Sequence, residues 1–202
     1  MKKVIAAFAL LIFLSNCSNN SKENTAAQNN EITEEDSTAV NFFPVTAFLK
    51  GQMAELDSLP ITFLYTRSQN NSIDSAWVKR DTIHKILQPF ADINITEHNL
   101  THLFTASKFN DQSVEAITFT HTPKGLLPDS IKLRNWSLYI SPETGKIIKL
   151  YLLLQYNNNK ETVTQQLTWQ TGKWAKITTL QHTADNKNSK LVKEEKLIWD
   201  FD

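Results

Sequence analysis

The chain has 202 residues, and its 21 Lys and Arg balance its 21 Asp and Glu, so no basic excess favours nucleic acid as a partner. Four glycines and one cysteine are too few for a Gly-rich phosphate cradle, a disulfide framework or a thiolate metal site. The length suits one domain plus a tether, with stability resting on burial alone.

Lys2 and Lys3 precede an apolar run from Val4 to Leu14, the layout of a secretion signal. Eleven residues cannot span a hydrocarbon core, which needs about 20. The run closes on Leu14-Ser15-Asn16-Cys17, which resembles the lipobox of bacterial lipoproteins. That resemblance implies a signal peptide over residues 1–16, cleavage before Cys17, a diacylglycerol on its thiol and an acyl chain on its amine. Membrane contact is then made through lipid on Cys17.

Residues 18–41 read as a solvated tether. Ser18 to Asn30 is rich in Asn, Ser, Ala and Gln, and Glu31 to Asp36 is acidic. Ile32 and Val40 are its only bulky apolar residues, too few to offset the entropy of ordering. A flexible coil of 24 residues reaches about 25–30 Å.

A single globular domain is expected over residues 42–202. Pro44 suits a first helical turn, and Val45, Phe48, Leu49, Met53 and Leu56 form one helical stripe. Ile61 to Thr66 reads as a strand after the Pro60 break. A second helix is expected from Asp81, which is placed to cap it, with Ile83, Ile86, Leu87 and Phe90 at helical spacing. Pro89 should end or kink that helix. A third helix is expected from Thr96, with Ile95 and Leu100 forming a staple across its cap.

Beyond Val114 the pattern turns to strands rich in Thr, Ile, Leu, Tyr and Trp. Val114 to Thr120, Trp136 to Ile140, Ile147 to Tyr156, Thr162 to Trp169, Trp174 to Gln181 and Leu191 to Phe201 are the candidates. Ser141 to Lys146 carries Pro142 and Gly145 at turn positions. Thr171-Gly172 is expected to set Trp169 opposite Trp174 as a cross-strand pair. The fold class is α+β, with N-terminal helices on an antiparallel meander of about five to six strands.

Candidate chemistry is sparse. His98 and His102 lie four apart and would share one helical face, but Glu97 precedes them, which is not the HExxH order. Leu100, Leu103 and Phe104 centre opposite the pair, so both histidines should face solvent, and they form only a weak metal candidate. There is no G-x-S-x-G elbow and no pair of carboxylates stands out for glycoside hydrolysis. No cofactor is implied. All five tryptophans lie beyond residue 76, which demands a substantial core and also admits sugar stacking.

One pattern recurs beyond what composition gives. Asp followed by Ser or Thr, then an aliphatic residue or Thr, occurs at Asp36-Ser37-Thr38, Asp57-Ser58-Leu59, Asp74-Ser75-Ala76, Asp81-Thr82-Ile83 and Asp129-Ser130-Ile131. It resembles the O-glycosylation acceptor motif of Bacteroidota envelope proteins, which would modify Ser37, Ser58, Ser75, Thr82 or Ser130. The plainer reading is that Asp-Ser and Asp-Thr form caps and turns.

These motifs, the lipobox, and the runs Phe42 to Gln52 and Gln165 to Trp169 are similar to those of a group of Bacteroidota lipoproteins. Tyr139 to Ile147 resembles the hairpin of PepSY-type domains. Ser18 after the cysteine implies outer-membrane rather than inner-membrane residence. The resemblance brings no activity. The expectation is a lipid-anchored, non-catalytic envelope protein that binds or scaffolds an envelope protein or glycan, with a periplasmic hydrolase on glycan or peptide and a glycan-binding lipoprotein as alternatives. Replacing Cys17 with Ser should leave an unlipidated, uncleaved precursor; lipid labelling that persists in that variant would contradict the assignment.

Overall fold

The computed structural model describes residues 42–96, 98–157, 161–183 and 189–200. The signal segment, Cys17, the tether with Ser37, and Glu97 lie outside the described residues. No helix among the described residues is long and apolar enough to cross a membrane.

The described residues form two α-helices and nine antiparallel strands. In chain order they are α1 (Val45–Ser58), β1 (Phe63–Gln69), β2 (Ser72–Val78), α2 (Arg80–Ala91), β3 (Phe104–Asp111), β4 (Ala116–Pro123), β5 (Leu133–Ile140), β6 (Ile147–Asn157), β7 (Glu161–Gln170), β8 (Trp174–Thr183) and β9 (Lys190–Ile198). One sheet holds them all in the order β2-β1-β9-β8-β7-β6-β5-β4-β3. The last seven strands form a meander that returns beside the first hairpin, so β9 pairs with β1. The α+β class and antiparallel sheet stand. The sheet has more strands than expected, and α2 follows β1 and β2 instead of lying N-terminal to the sheet.

The alternation of side chains along the strands explains which face the helices cover. Phe63, Leu197, Ala175, Ile177, Trp169, Leu167, Leu150, Leu152, Trp136 and Leu138 are buried and fall on one face by register. Val45, Leu49 and Leu56 of α1 and Ile83, Leu87 and Phe90 of α2 are buried too and belong to the same core. The opposite face is largely Thr, Gln, Lys and Tyr, as befits an antiparallel sheet with one side in water. Trp169 is the centre of the core. Its ring meets Phe90 edge-on at 5.4 Å and Trp199 at 5.3 Å, and its Nε1 donates to Gln52 Oε1 of α1 at 3.2 Å.

Several expectations need correction. The third helix is a turn at residues 98–100, a 3-10 turn at Thr101–Leu103 and then strand β3. Asn99 causes this: its Oδ1 accepts from Thr96 N at 2.8 Å and its Nδ2 donates to Asn94 O at 2.7 Å, closing the chain on itself. Asp81 lies in the first turn of α2 and does not cap it; the N-cap is Lys79, with no side-chain cap bond. Trp169 pairs with Ala175 and Gln170 with Trp174, so the loop spans three residues with Gly172 at φ 79. Adjacent positions on a strand face opposite ways, and the two tryptophans therefore never meet. The β1–β2 hairpin turns on Asn70 and Asn71, both at positive φ, which is type I′ geometry.

Candidate functional site

The helices cover the sheet only partly, and a groove opens where α2 runs out. Pro89 removes one amide from the last turn of α2, which ends at Ala91. The chain then follows α1 in an extended segment whose backbone Thr46 braces. Thr46 Oγ1 accepts from Ile95 N at 2.7 Å and has Ile93 O at 3.1 Å and Ile95 O at 3.2 Å within reach of its proton. This pins one wall. The other wall is the loop before β5, held by Gln155 N donating to Lys132 O at 2.8 Å and Ile131 N donating to Pro128 O at 3.0 Å.

Between these walls lies a cavity of about 430 Å³, within the size range of small-molecule sites. Leu133 and Leu154, cross-strand partners on β5 and β6, line it from the sheet. Ile93, Ile95, Leu100 and Ile131 line it from the two segments, and Asn94, Asn99, Asp92, Lys132 and Tyr156 add polar groups. Burial raises the Tyr156 phenol pKa, and the nearby Asp92 carboxylate adds to it. Tyr156 therefore stays a protonated donor throughout the neutral range. An aliphatic interior with amide, phenol, carboxylate and ammonium groups along its length suits a molecule with an apolar body and a polar end.

Of the site residues named from sequence, only Ser130 lines the groove; the others that the structure describes lie elsewhere. His98 and His102 are both exposed, and without a helix they share no helical face. Among the described residues no group of three or more His, Cys, Asp or Glu is placed to hold a metal ion. Ser58, Ser75, Thr82 and Ser130 are all exposed and are scattered over the C-terminus of α1, the edge strand β2, the first turn of α2 and the loop before β5. Ser58 Oγ donates to Glu55 O at 2.7 Å, a helix-end bond that fits the plainer reading of its motif.

Trp136, Trp169 and Trp199 are core residues. Trp77 and Trp174 share the uncovered face, linked in register through Leu64 and Ile198. Three strand spacings separate them, about 14 Å. Trp77 is 64% exposed, whereas Lys196 Nζ lies 4.7 Å over the Trp174 ring. Of the groove residues, Pro89, Ile95, Leu100, Ser130 and Ile131 are named from sequence only in other roles, and their convergence into a groove escaped it. The alternation in Asp92-Ile93-Asn94-Ile95 was the available signal, since Ile93 and Ile95 are buried while Asp92 and Asn94 are exposed.

No protein-family model, no curated protein and no solved structure matches this chain.

Beyond the groove, the most perturbed histidine is His121 on β4. Its ring stacks flat on Trp136, with centroids 4.3 Å apart and planes at 7°. Its Nδ1 finds no hydrogen-bond partner among the described residues. Burial pushes its pKa down to about 4, against an ordinary value near 6.5. The unfolded chain therefore binds the proton first as pH falls. The stability from this group is full above about pH 6.5 and is lost progressively down to about pH 4. Discounted for the ring's partial solvent contact, this amounts to about 1–2 kcal/mol. Urea unfolding at pH 7 and pH 4 should show His121→Phe losing less stability on acidification than the parent, by that amount.

Proposed function

We propose that this protein is a lipid-anchored component of the bacterial cell envelope, held at a membrane through Cys17, that acts as a non-catalytic binding protein. The groove between α2 and β5 is its binding surface, and the bound component is a small molecule with an apolar body. The observation that carries this reading is the composition of the groove. Six aliphatic side chains supply the burial that drives binding. Asn94, Asn99 and Tyr156 supply the directional polar contacts that fix orientation. The anchor and tether are read from the lipobox and the following polar segment, which favour outer-membrane residence.

Glycan binding is the second reading, supported by Trp77 and Trp174 sharing the uncovered sheet face. Aromatic rings about 14 Å apart on one sheet face with flanking Thr and Lys residues suit an extended chain of sugars. The Lys196 ammonium over Trp174 would have to move before that ring could stack on a ligand, and this ranks the reading below the groove. Glycosylation at Ser58 or Thr82 is compatible with either reading, because both hydroxyls are exposed and neither lines the groove or lies on the sheet face that carries Trp77 and Trp174; a glycan on Ser130 would stand at the groove, and one on Ser75 beside Trp77.

The groove is tested by filling it. Ile131 belongs to the loop wall and is only half-buried, so Ile131→Trp places bulk in the cavity while the core stays intact. The full-length protein extracted from membranes should release an apolar small molecule on denaturation, detected by mass spectrometry, in near-equal ratio to protein. Ile131→Trp should lower that ratio at least tenfold while keeping its urea midpoint. Equal retention by the variant, or no bound molecule in the parent, would contradict the groove as the binding surface.

A further inference from the structure

The groove and His121 belong to one corner of the sheet. His121 stands opposite Trp136 in the β4–β5 register. Trp136 in turn stands opposite Leu152 on β6, one step along from the Leu133–Leu154 pair that lines the groove. Two residues after His121, β4 ends at Pro123. The chain then enters the stretch 124–132, whose far end, Ser130, Ile131 and Lys132, forms the loop wall. The opposite wall is tied to the same point. Lys124 N donates to Leu103 O at 3.0 Å and Leu103 N donates to Leu100 O at 2.9 Å, and Leu100 lines the groove. A displacement of β4 at His121 therefore reaches both walls through short lengths of bonded backbone.

The imidazole fits this place only while neutral. Its ring covers the Trp136 face at 4.3 Å, with Phe104 against the same indole at 4.7 Å. Nδ1 is buried with no hydrogen-bond partner among the described residues. The neutral tautomer protonated on Nε2 leaves only a lone pair there, whereas the cation must carry an N–H on both nitrogens. A buried charged donor without an acceptor is the costlier of the two. The strands packed against β4 supply no remedy. β3 presents Lys108 among its inward residues, over the Phe119 ring, and β5 carries Arg134 beside its bulge. Lys124 follows β4, and His102, just before β3, is exposed. The one acid on these three strands, Asp111, sits at the far end of β3 opposite Ala116. The indole face attracts an imidazolium, but burial outweighs that attraction.

We infer that His121 couples ligand binding in the groove to pH. Neutral, it packs the end of β4 against β5 and the groove holds its ligand. Protonated, the ring leaves the Trp136 face, both walls loosen and the ligand is released. This rests on the groove being the binding surface. The sign follows from linkage. The closed form keeps a ring that resists the proton, and the opened form exposes one with the ordinary value near 6.5. Binding is then full above about pH 6.5 and weakens progressively as pH falls toward about 4. By reciprocity, a bound ligand shifts the His121 titration to still lower pH.

Methyl-resolved NMR of the full-length protein, titrated at pH 7 and pH 4.5 with a medium-chain alcohol that does not itself titrate, tests this. Ile131, Leu133 and Leu154 should show saturable shifts, with affinity at least tenfold weaker at pH 4.5. His121→Phe keeps an aromatic ring on Trp136 but takes no proton, so its affinity should stay within twofold between the two pH values. Asp92→Asn removes the carboxylate that lines the groove and should keep the parent's tenfold ratio. Equal affinity at both pH values in the parent, the parent's loss persisting in His121→Phe, or its disappearance in Asp92→Asn would overturn the coupling and leave the groove standing. Absence of saturable shifts at pH 7 would overturn the groove and the coupling together.

Discussion

The structure depends on covering one apolar face of one sheet, and Trp169 is where that covering is fastened. Its ring touches Phe90 of α2 and Trp199 beyond β9, while its indole N–H is bonded to Gln52 of α1. Four parts of the chain that are distant in sequence meet there. The geometry of the cover follows from simple lengths. Helices of 14 and 12 residues are about 21 and 18 Å long, whereas nine strands span about 38 Å. Two helices of this size cannot hide the whole face. Toward β1 and β9 the uncovered part is polar. Tyr65 Oη donates to Glu195 at 2.6 Å and Lys193 pairs with Glu195 at 2.7 Å. Near β5 and β6 the uncovered part stays aliphatic, and there the groove forms.

That asymmetry links packing to function. An apolar face that meets water is normally closed by another element or made polar. Here Thr46 and Asn99 hold the segment after α2 in an extended path that leaves the cavity between it and the β5 loop. The groove is a consequence of how these two polar residues direct the backbone. Its walls come from loops and its floor from rigid strands, a combination suited to holding a ligand while admitting it.

Much of the fold was legible because local signals and tertiary needs agreed. The six strands beyond Val114 followed from β-branched and aromatic content, and the Ser141–Lys146 turn from Pro142 and Gly145, the latter at φ 66. The stripe on α1 and the repeat on α2 were read from helical spacing. The missed elements are those in which periodicity is weak. Residues 72–78 mix Ser, Asp and Ala with Ile and Trp, and an edge strand needs no buried face to hold it. Residues 104–111 lost their strand signal to a helix-like spacing of Leu100, Leu103 and Phe104, which the Asn99 turn overrides. The site was less legible, because it is made by loops converging from distant positions: Ile93 and Ile131 are neighbours only after β5 and β6 pair. Histidines and tryptophans drew attention for their chemistry, yet His98 and His102 are solvated and three of the five tryptophans fill the core.

The central claim is that the cavity between the segment after α2 and the β5 loop is a binding site for molecules with an apolar body. Methyl-resolved NMR of the protein titrated with a medium-chain fatty acid addresses it directly. The account predicts saturable shifts at Ile93, Ile95, Ile131, Leu133 and Leu154, with Leu56 and Leu197 in the far core unmoved. Shifts spread evenly over the molecule, or confined to the opposite sheet face around Leu64 and Ile198, would contradict it.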